Sequence, residues 1–200
     1  VKKRIILARH GETTGNRDGM VIGRVDFPLT PEGKLMAEQI GLLIRREPVA
    51  AVFTSPLGRA VASAEIYARG TGLTIHVRSA LAELACGRWD GMPRSQYLHG
   101  RGLIRENWFD APPGGESYAD AEARVQGFIG ELSSEVDAEC VLVVGHAGIN
   151  RVFLKTLLSL GPETALRIQC PHDTIYIIHD RQILAQSPSS YWTEDFILRE

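Results

Sequence analysis

Arg9 and His10 close the apolar run IILA (5–8), and Gly11 follows them. A guanidinium and an imidazole are costly to bury. At the end of a strand they face whatever lies beyond the sheet. The pattern recurs along the chain. Ser55 and Arg59 follow AAVFTS (50–55), Glu83 follows LTIHV (73–77), and His146 follows CVLVVG (140–145). Ligands of open α/β sheets bind outside the carboxyl ends of the strands, so separate segments deliver polar groups to one edge. Two histidines, two arginines, a glutamate and nearby helix starts suit a phosphate monoester. Guanidinium forks bind its dianion by charge-assisted hydrogen bonds, and helix N-termini add N–H donors. A neutral imidazole is a nucleophile towards phosphorus. A carboxylic acid can protonate the leaving alkoxide and then act as base for water. No metal is needed where cations already neutralise the phosphoryl oxygens.

The elements that must position these groups are readable. RIILA (4–8), AAVFTS and CVLVVG are short, aliphatic and β-branched, as suits strands buried on both faces. LTIHV is a weaker fourth, and TIYIIH with RQILAQ reads as a late hairpin turning at Asp180 and Arg181. Between them lie helical stretches. TPEGKLMAEQIGLLIRRE has Thr30 as cap, Pro31 at its first position and Leu35, Ile40, Leu43 and Ile44 near helical spacing. LGRAVASAEIYARGTG is Ala-rich, ESYADAEARVQGFIGELSSE opens on the capping pair Ser117 and Asp120, and GINRVFLKTLLSLG follows His146. The alternation predicts a three-layer α/β/α sandwich with a mostly parallel central sheet. Residues 86–116, with two Trp and clustered Pro and Gly, read as a small irregular cap over the site.

With 200 residues, 44% hydrophobic and 23% charged, the chain is expected to form a single domain over residues 1–200. A net charge of −2 argues against a nucleic-acid or membrane-surface partner. Cys86, Cys140 and Cys170 are widely spaced and odd in number, so neither a disulfide framework nor a zinc site is expected, and a reducing cytoplasm is the expected location. The six histidines lack metal-ligand spacing, so no metal and no cofactor is expected.

Five segments, in order, resemble the histidine phosphatase superfamily, which contains cofactor-dependent phosphoglycerate mutases and many small-molecule phosphatases. RHGETTGN resembles its RHG signature, and IGRVDFPLTPEG its G-x-x-D-x-P-L-T-x-x-G segment. TSPLGRAVASAEI is similar to S-x-L-x-R-A-x-x-T-A, with Ser63 where Thr is usual. LAELACGRWDG resembles L-x-E-x-x-x-G-x-W-E-G, with Asp90 for Glu, and VVGHAG the second histidine motif. The resemblance implies His10 as the phosphorylated nucleophile and Glu83 as proton donor; on physical grounds alone Asp90 and Glu116 are rivals for that last role. It implies Arg9, Arg59, His146 and Asn16 as phosphate ligands, and the Gly23 amide near the substrate.

The expected activity is therefore a metal-independent phosphomonoesterase acting on a small phosphorylated metabolite through a phosphohistidine, with inorganic phosphate as product. A mutase-type phosphoryl transfer is the alternative, and an inactive phospho-ligand binder the third class. The short segment after Glu83 resembles the small phosphatase branch, including α-ribazole phosphatase-like and broad-specificity members. Arg88, Arg94, Tyr97 and Trp108 offer substrate contacts without specifying a substrate, and His172 and Asp173 begin the hairpin near the expected pocket mouth. A homodimer is the one assembly considered, and the sequence does not select it.

Overall fold

The structure is a computed structural model and describes residues 3–97, 105–188 and 190–192. In chain order the elements are β1 (Arg4–Arg9), α1 (Thr14–Arg17), α2 (Pro31–Ile44), β2 (Ala51–Thr54), α3 (Gly58–Tyr67), β3 (Ile75–Val77), α4 (Arg94–Tyr97), α5 (Tyr118–Ser134), β4 (Cys140–Gly145), α6 (Ala147–Leu158), α7 (Pro162–Leu166), β5 (Ile175–His179), β6 (Gln182–Ser187) and β7 (Ser190–Trp192).

Among the described residues the strands form one sheet in the order β3-β2-β4-β1-β5-β6-β7. It is mixed. The first four strands are parallel, and β5, β6 and β7 extend it antiparallel from β1. The hairpin between β5 and β6 turns at Asp180 and Arg181, with φ of 48° and 66°. Positive φ at both central residues matches the turn twist to the strands.

Side chains alternate across the sheet as a two-residue period requires. Ile5 and Leu7 join Phe53, Val141 and Val143 against α5 and α6, while Ile6 and Ala8 join Val52, Leu142 and Val144 against α2 and α3. Both faces are therefore covered, which explains why the central strands read as continuous apolar runs. Of the helices that follow these strands, α2 packs on one face and α6 on the other. The chain thus splits to opposite faces at the carboxyl ends of two adjacent strands, where a crevice forms.

Local signals set the helix ends. The Thr30 hydroxyl accepts from the N–H of Gly33, and Ser117 and Asp120 form a reciprocal capping box. Leu35 departs from expectation: it is 62% exposed. The buried stripe of α2 runs through Ala37, Ile40, Gly41 and Ile44, and Leu35, five residues before Ile40, falls about 140° away from it at the helical period.

In the 86–116 region, residues 98–104 lie outside the described residues, including His99. Trp108 belongs to the core, stacked on Tyr118 at 4.7 Å with its indole N–H donating to Glu122. The three cysteines are buried and free. Among the described residues no helix is long and apolar enough to cross a membrane.

Candidate active site

The register Arg9↔Gly145 between β1 and β4 brings the two histidine-bearing strand ends side by side. The His10 N–H donates to the Gly145 carbonyl at 3.1 Å, and His146 occupies the position that starts α6. The two imidazole centroids lie 5.0 Å apart. Gly11 is required by close approach, since a Cβ there would sit 2.6 Å from the Gly33 carbonyl in α2. The Ser63 hydroxyl donates to the Arg59 carbonyl and accepts from the Gly11 N–H, so it ties α3 to the histidine loop.

His10 is 3% exposed. Its Nδ1 lies 2.7 Å from the Gly11 carbonyl, an acceptor only, so Nδ1 carries the ring proton. Nε2 then holds the lone pair, and the Arg59 Nε–H donates to it at 3.3 Å. Burial, and then the neighbouring His146, Arg9 and Arg59, hold the imidazole well below its ordinary pKa. Both the hydrogen bonds and the lowered pKa correspond to a neutral ring with Nε2 unprotonated.

Cationic and N–H groups surround that nitrogen. Arg59 is anchored through the carbonyls of Gly23 (2.7 Å) and Val25 (2.8 Å) and the carboxylate of Asp26 (3.1 Å). Asp26 also accepts from the Gly58 and Arg59 N–H groups at the start of α3. Arg9 donates to the Cys170 carbonyl, and burial lowers its pKa to about 10. His146 Nε2 lies 2.7 Å from the Ser55 hydroxyl. Its Nδ1, like Arg9 Nε, is buried without a partner among the described residues. Burial also holds His146 well below the ordinary histidine value. The Asn16 carbonyl oxygen accepts from Thr13, which leaves its NH₂ group as the donor at the cavity wall.

Glu83 reaches the site from between β3 and the irregular region. Its carboxylate accepts the N–H groups of Leu84 (2.9 Å), Gly148 (3.1 Å) and Ile149 (3.2 Å), the last two in the first turn of α6. The rival acids are committed elsewhere. Asp90 accepts the N–H groups of Gly23, Arg24 and Val25, and Glu116 accepts from Ala85, Arg24 and Arg124. This alters the expectation for Gly23. Its N–H is held by Asp90 at 2.6 Å and its carbonyl by Arg59, so the residue braces the guanidinium and has no free amide for a substrate.

These groups open on a cavity of about 330 Å³ lined by Arg9, His10, Asn16, Arg59 and Glu83, with Arg94, Arg105, Arg151 and Tyr118 on further walls. Of the substrate contacts expected from sequence, Arg94 is on the wall, Arg88 is exposed and outside it, and the Tyr97 side chain lies outside the described residues. Sequence reasoning missed Arg105, Arg151 and Tyr118. A signal existed for Arg151, which lies three residues after Gly148 and so shares its helix face.

His172 does reach the histidine pair. Its Nδ1–H donates to the His10 carbonyl at 2.6 Å, the rings are 5.2 Å apart, and burial lowers its pKa to about 4. The antiparallel register Ala8↔Ile175 brings residue 172 opposite the RHG loop, and nothing in the sequence specifies that pairing. Among the described residues no group of three His, Cys, Asp or Glu side chains is arranged to hold a metal ion.

The sequence matches the family model described as "Histidine phosphatase superfamily (branch 1)" over residues 5–182. It is 30% identical over 168 residues to an adenosylcobalamin/alpha-ribazole phosphatase of Salmonella typhimurium, covering 78% of this chain and 80% of that protein. It is 27% identical over 181 residues to phosphoserine phosphatase 1 of Hydrogenobacter thermophilus, covering 88% of this chain and 86% of the relative. Some relatives are longer: the chain spans 36% of a 2-carboxy-D-arabinitol-1-phosphatase of Triticum aestivum and 47% of a Mycobacterium bovis protein. Among solved structures it resembles a mycobacterial glucosyl-3-phosphoglycerate phosphatase in complex with VO3, with a TM-score of 0.79, 25% identity and 92% of each chain covered.

Proposed function

The chain belongs to the histidine phosphatase superfamily, and we propose that it is a metal-independent hydrolase of a small phosphomonoester, working through a phosphohistidine at His10. The observation that carries this reading is the tautomer of His10. Its Nδ1–H is engaged by Gly11, its Nε2 carries the lone pair beside the Arg59 guanidinium, and the ring lines a cavity shared with Arg9, Arg59 and Glu83.

In the first step the Nε2 lone pair attacks phosphorus as the ester P–O bond breaks. Glu83 donates a proton to the departing alkoxide, which leaves as the alcohol. Arg9, Arg59 and the Asn16 NH₂ neutralise the equatorial oxygens as charge shifts onto them. When the Ser55 hydroxyl donates to His146 Nε2, the His146 proton resides on Nδ1 and that atom becomes a further donor. In the second step Glu83, now a carboxylate, takes a proton from water. The water oxygen attacks phosphorus, the P–N bond breaks, and its electron pair returns to Nε2. Net, one ester and one water give an alcohol and inorganic phosphate.

The test is phosphate release from a panel of phosphomonoesters in the presence of chelator, together with capture of an acid-labile phosphoryl adduct. His10→Ala abolishes both on this reading. Exchange of a phosphoryl group between two hydroxyls without release to water would select mutase chemistry instead. Turnover that stops in chelator would end the metal-independent reading.

A further inference from the structure

The cavity carries more positive charge than one phosphoryl group requires. Beyond Arg9 and Arg59 its walls hold Arg94, Arg105 and Arg151, against the carboxylate of Glu83. Other arginines are paired with acids: Arg4 with Glu47, Arg78 with Glu131 and Arg124 with Glu116, and in the cavity itself Arg59 with Asp26. Arg105 and Arg151 are different. Arg105 is 8% exposed and donates to two backbone carbonyls, those of Glu116 (2.7 Å) and Ala85 (2.9 Å). Arg151 donates to the Ile168 carbonyl and the Tyr118 hydroxyl, both at 2.8 Å. Every one of these partners is neutral. Among the described residues neither guanidinium has a carboxylate within ion-pair distance.

Neutral acceptors satisfy the N–H groups and fix the forks in place but supply no ion pair; for Arg151 the carboxylate that favours its charge is Glu83 of the same cavity. Buried cations without an ion-pair partner are costly to hold, and two of them lining one cavity also repel each other. Tyr118 holds both: its hydroxyl accepts from Arg151, and its ring lies under Arg105 at 5.6 Å. Two rigid guanidinium forks organised around one buried tyrosine, each bordering the cavity, form the arrangement that binds carboxylate or phosphate oxygens.

We propose that Arg105 and Arg151, organised by Tyr118, form a second anion subsite, so that the substrate is a small phosphomonoester bearing a second anionic group. The proposal rests on the reading of His10 as the phosphoryl-accepting centre and narrows its substrate class to phosphorylated acids or bisphosphates. Arg94, exposed and bonded to the Met20 carbonyl, adds a third cation at the same cavity. A phosphomonoester whose remaining part is neutral leaves the two forks unmatched.

The test uses matched pairs. 3-Phosphoglycerate and glycerol 3-phosphate differ by a carboxylate against a hydroxymethyl, and fructose 1,6-bisphosphate and fructose 6-phosphate by one phosphate. A charge-assisted subsite gives kcat/KM about 10- to 100-fold higher for the partner that bears the second anionic group in at least one pair. Whichever pair responds identifies the second group as carboxylate or phosphate. Arg151→Gln and Arg105→Gln bring that ratio towards one. Arg94→Gln, an exposed site with little risk to folding, lowers it partially.

Equal kcat/KM within both pairs in the wild type overturns the subsite, as does a ratio that survives in variants shown to be folded by thermal unfolding. The chemistry is read separately with p-nitrophenyl phosphate. Turnover there, abolished by His10→Ala, without discrimination within the pairs overturns the subsite and leaves the phosphatase standing. No turnover of any ester overturns the phosphatase. The subsite is then read from equilibrium binding of 3-phosphoglycerate against glycerol 3-phosphate, where equal affinities overturn it.

Discussion

The Nε–H of Arg59 meets the Nε2 of His10 at 3.3 Å, so one guanidinium marks the lone pair that the proposed reaction uses. That contact requires His10 to be neutral with its proton on Nδ1. It also puts a cation beside the point where phosphoryl oxygens would gather. Arg59 holds this pose through the Gly23 and Val25 carbonyls and Asp26.

A lysine cannot reproduce that fork. We expect Arg59→Lys to lower kcat/KM by at least about 100-fold, and Asp26→Asn, outside the cavity wall, by about tenfold through loss of anchoring. Steady-state kinetics on one phosphomonoester checks both. Wild-type rates in Arg59→Lys would remove the guanidinium from the mechanism.

His172 touches the proposed nucleophile through the backbone, its Nδ1–H donating to the His10 carbonyl. This makes it a positioning residue. His172→Ala should lower kcat about tenfold with little change in KM, since the ground-state phosphate ligands are untouched. His172→Asn retains a short donor and should recover part of the loss. Equal damage from both variants would point to packing alone.

Glu83 is held by two N–H groups of the first turn of α6. Glu83→Gln should reduce kcat by about 10²- to 10⁴-fold, the usual span for a general acid-base group, with both formation of the phosphoryl adduct on His10 and its hydrolysis slowed. Gly148→Ala should act in the same direction without replacing the acid, because its Cβ would lie 2.6 Å from Glu83 Oε1 and closer still to Leu84, displacing the carboxyl. Rapid-quench measurement of both steps distinguishes the cases. Normal rates of both in Glu83→Gln would transfer the role to another acid.

Stability should fall with acidification. Burial, and then neighbouring cations, depress the pKa of His10 and His146, and burial then Arg9 that of His172 to about 4. Below the ordinary value of about 6.5 the unfolded chain takes up protons that the folded chain refuses. The contribution is therefore fully present above pH 6.5 and is lost as pH falls from there towards the folded-state values. Each such histidine lowers the unfolding free energy by up to about 1.4 kcal/mol per pH unit in that window. Denaturant unfolding at pH 7, 6 and 5 reads the slope, and His172→Asn should make it shallower. A flat profile across this window would mean the rings are protonated in the fold.

Several features were legible because they are local. The strand-end RHG, the Thr30 cap, the Ser117–Asp120 box and the turn at Asp180 and Arg181 each depend on neighbours within a few residues, and their chemistry is written in that spacing. Leu35 shows the limit even there: an apolar residue at loosely helical spacing fell off the buried stripe of α2. The mixed character of the sheet was less legible, since short aliphatic strands buried on two faces look alike whichever way they pair.

The sequence alone determined an α/β chain that carries Arg9, His10, Arg59, Glu83 and His146 to the carboxyl ends of its strands, because side-chain type and local period dictate which segments are strands and where they stop. Only the tertiary structure decided what each polar group is bonded to. Asp90 reaches back 67 residues to hold Gly23, Glu116 holds Arg24 and Ala85, and Tyr118 gathers Arg105 and Arg151. A hydrogen bond is directional and short, so its partner is set by ångström-scale packing of distant segments, which no local pattern encodes.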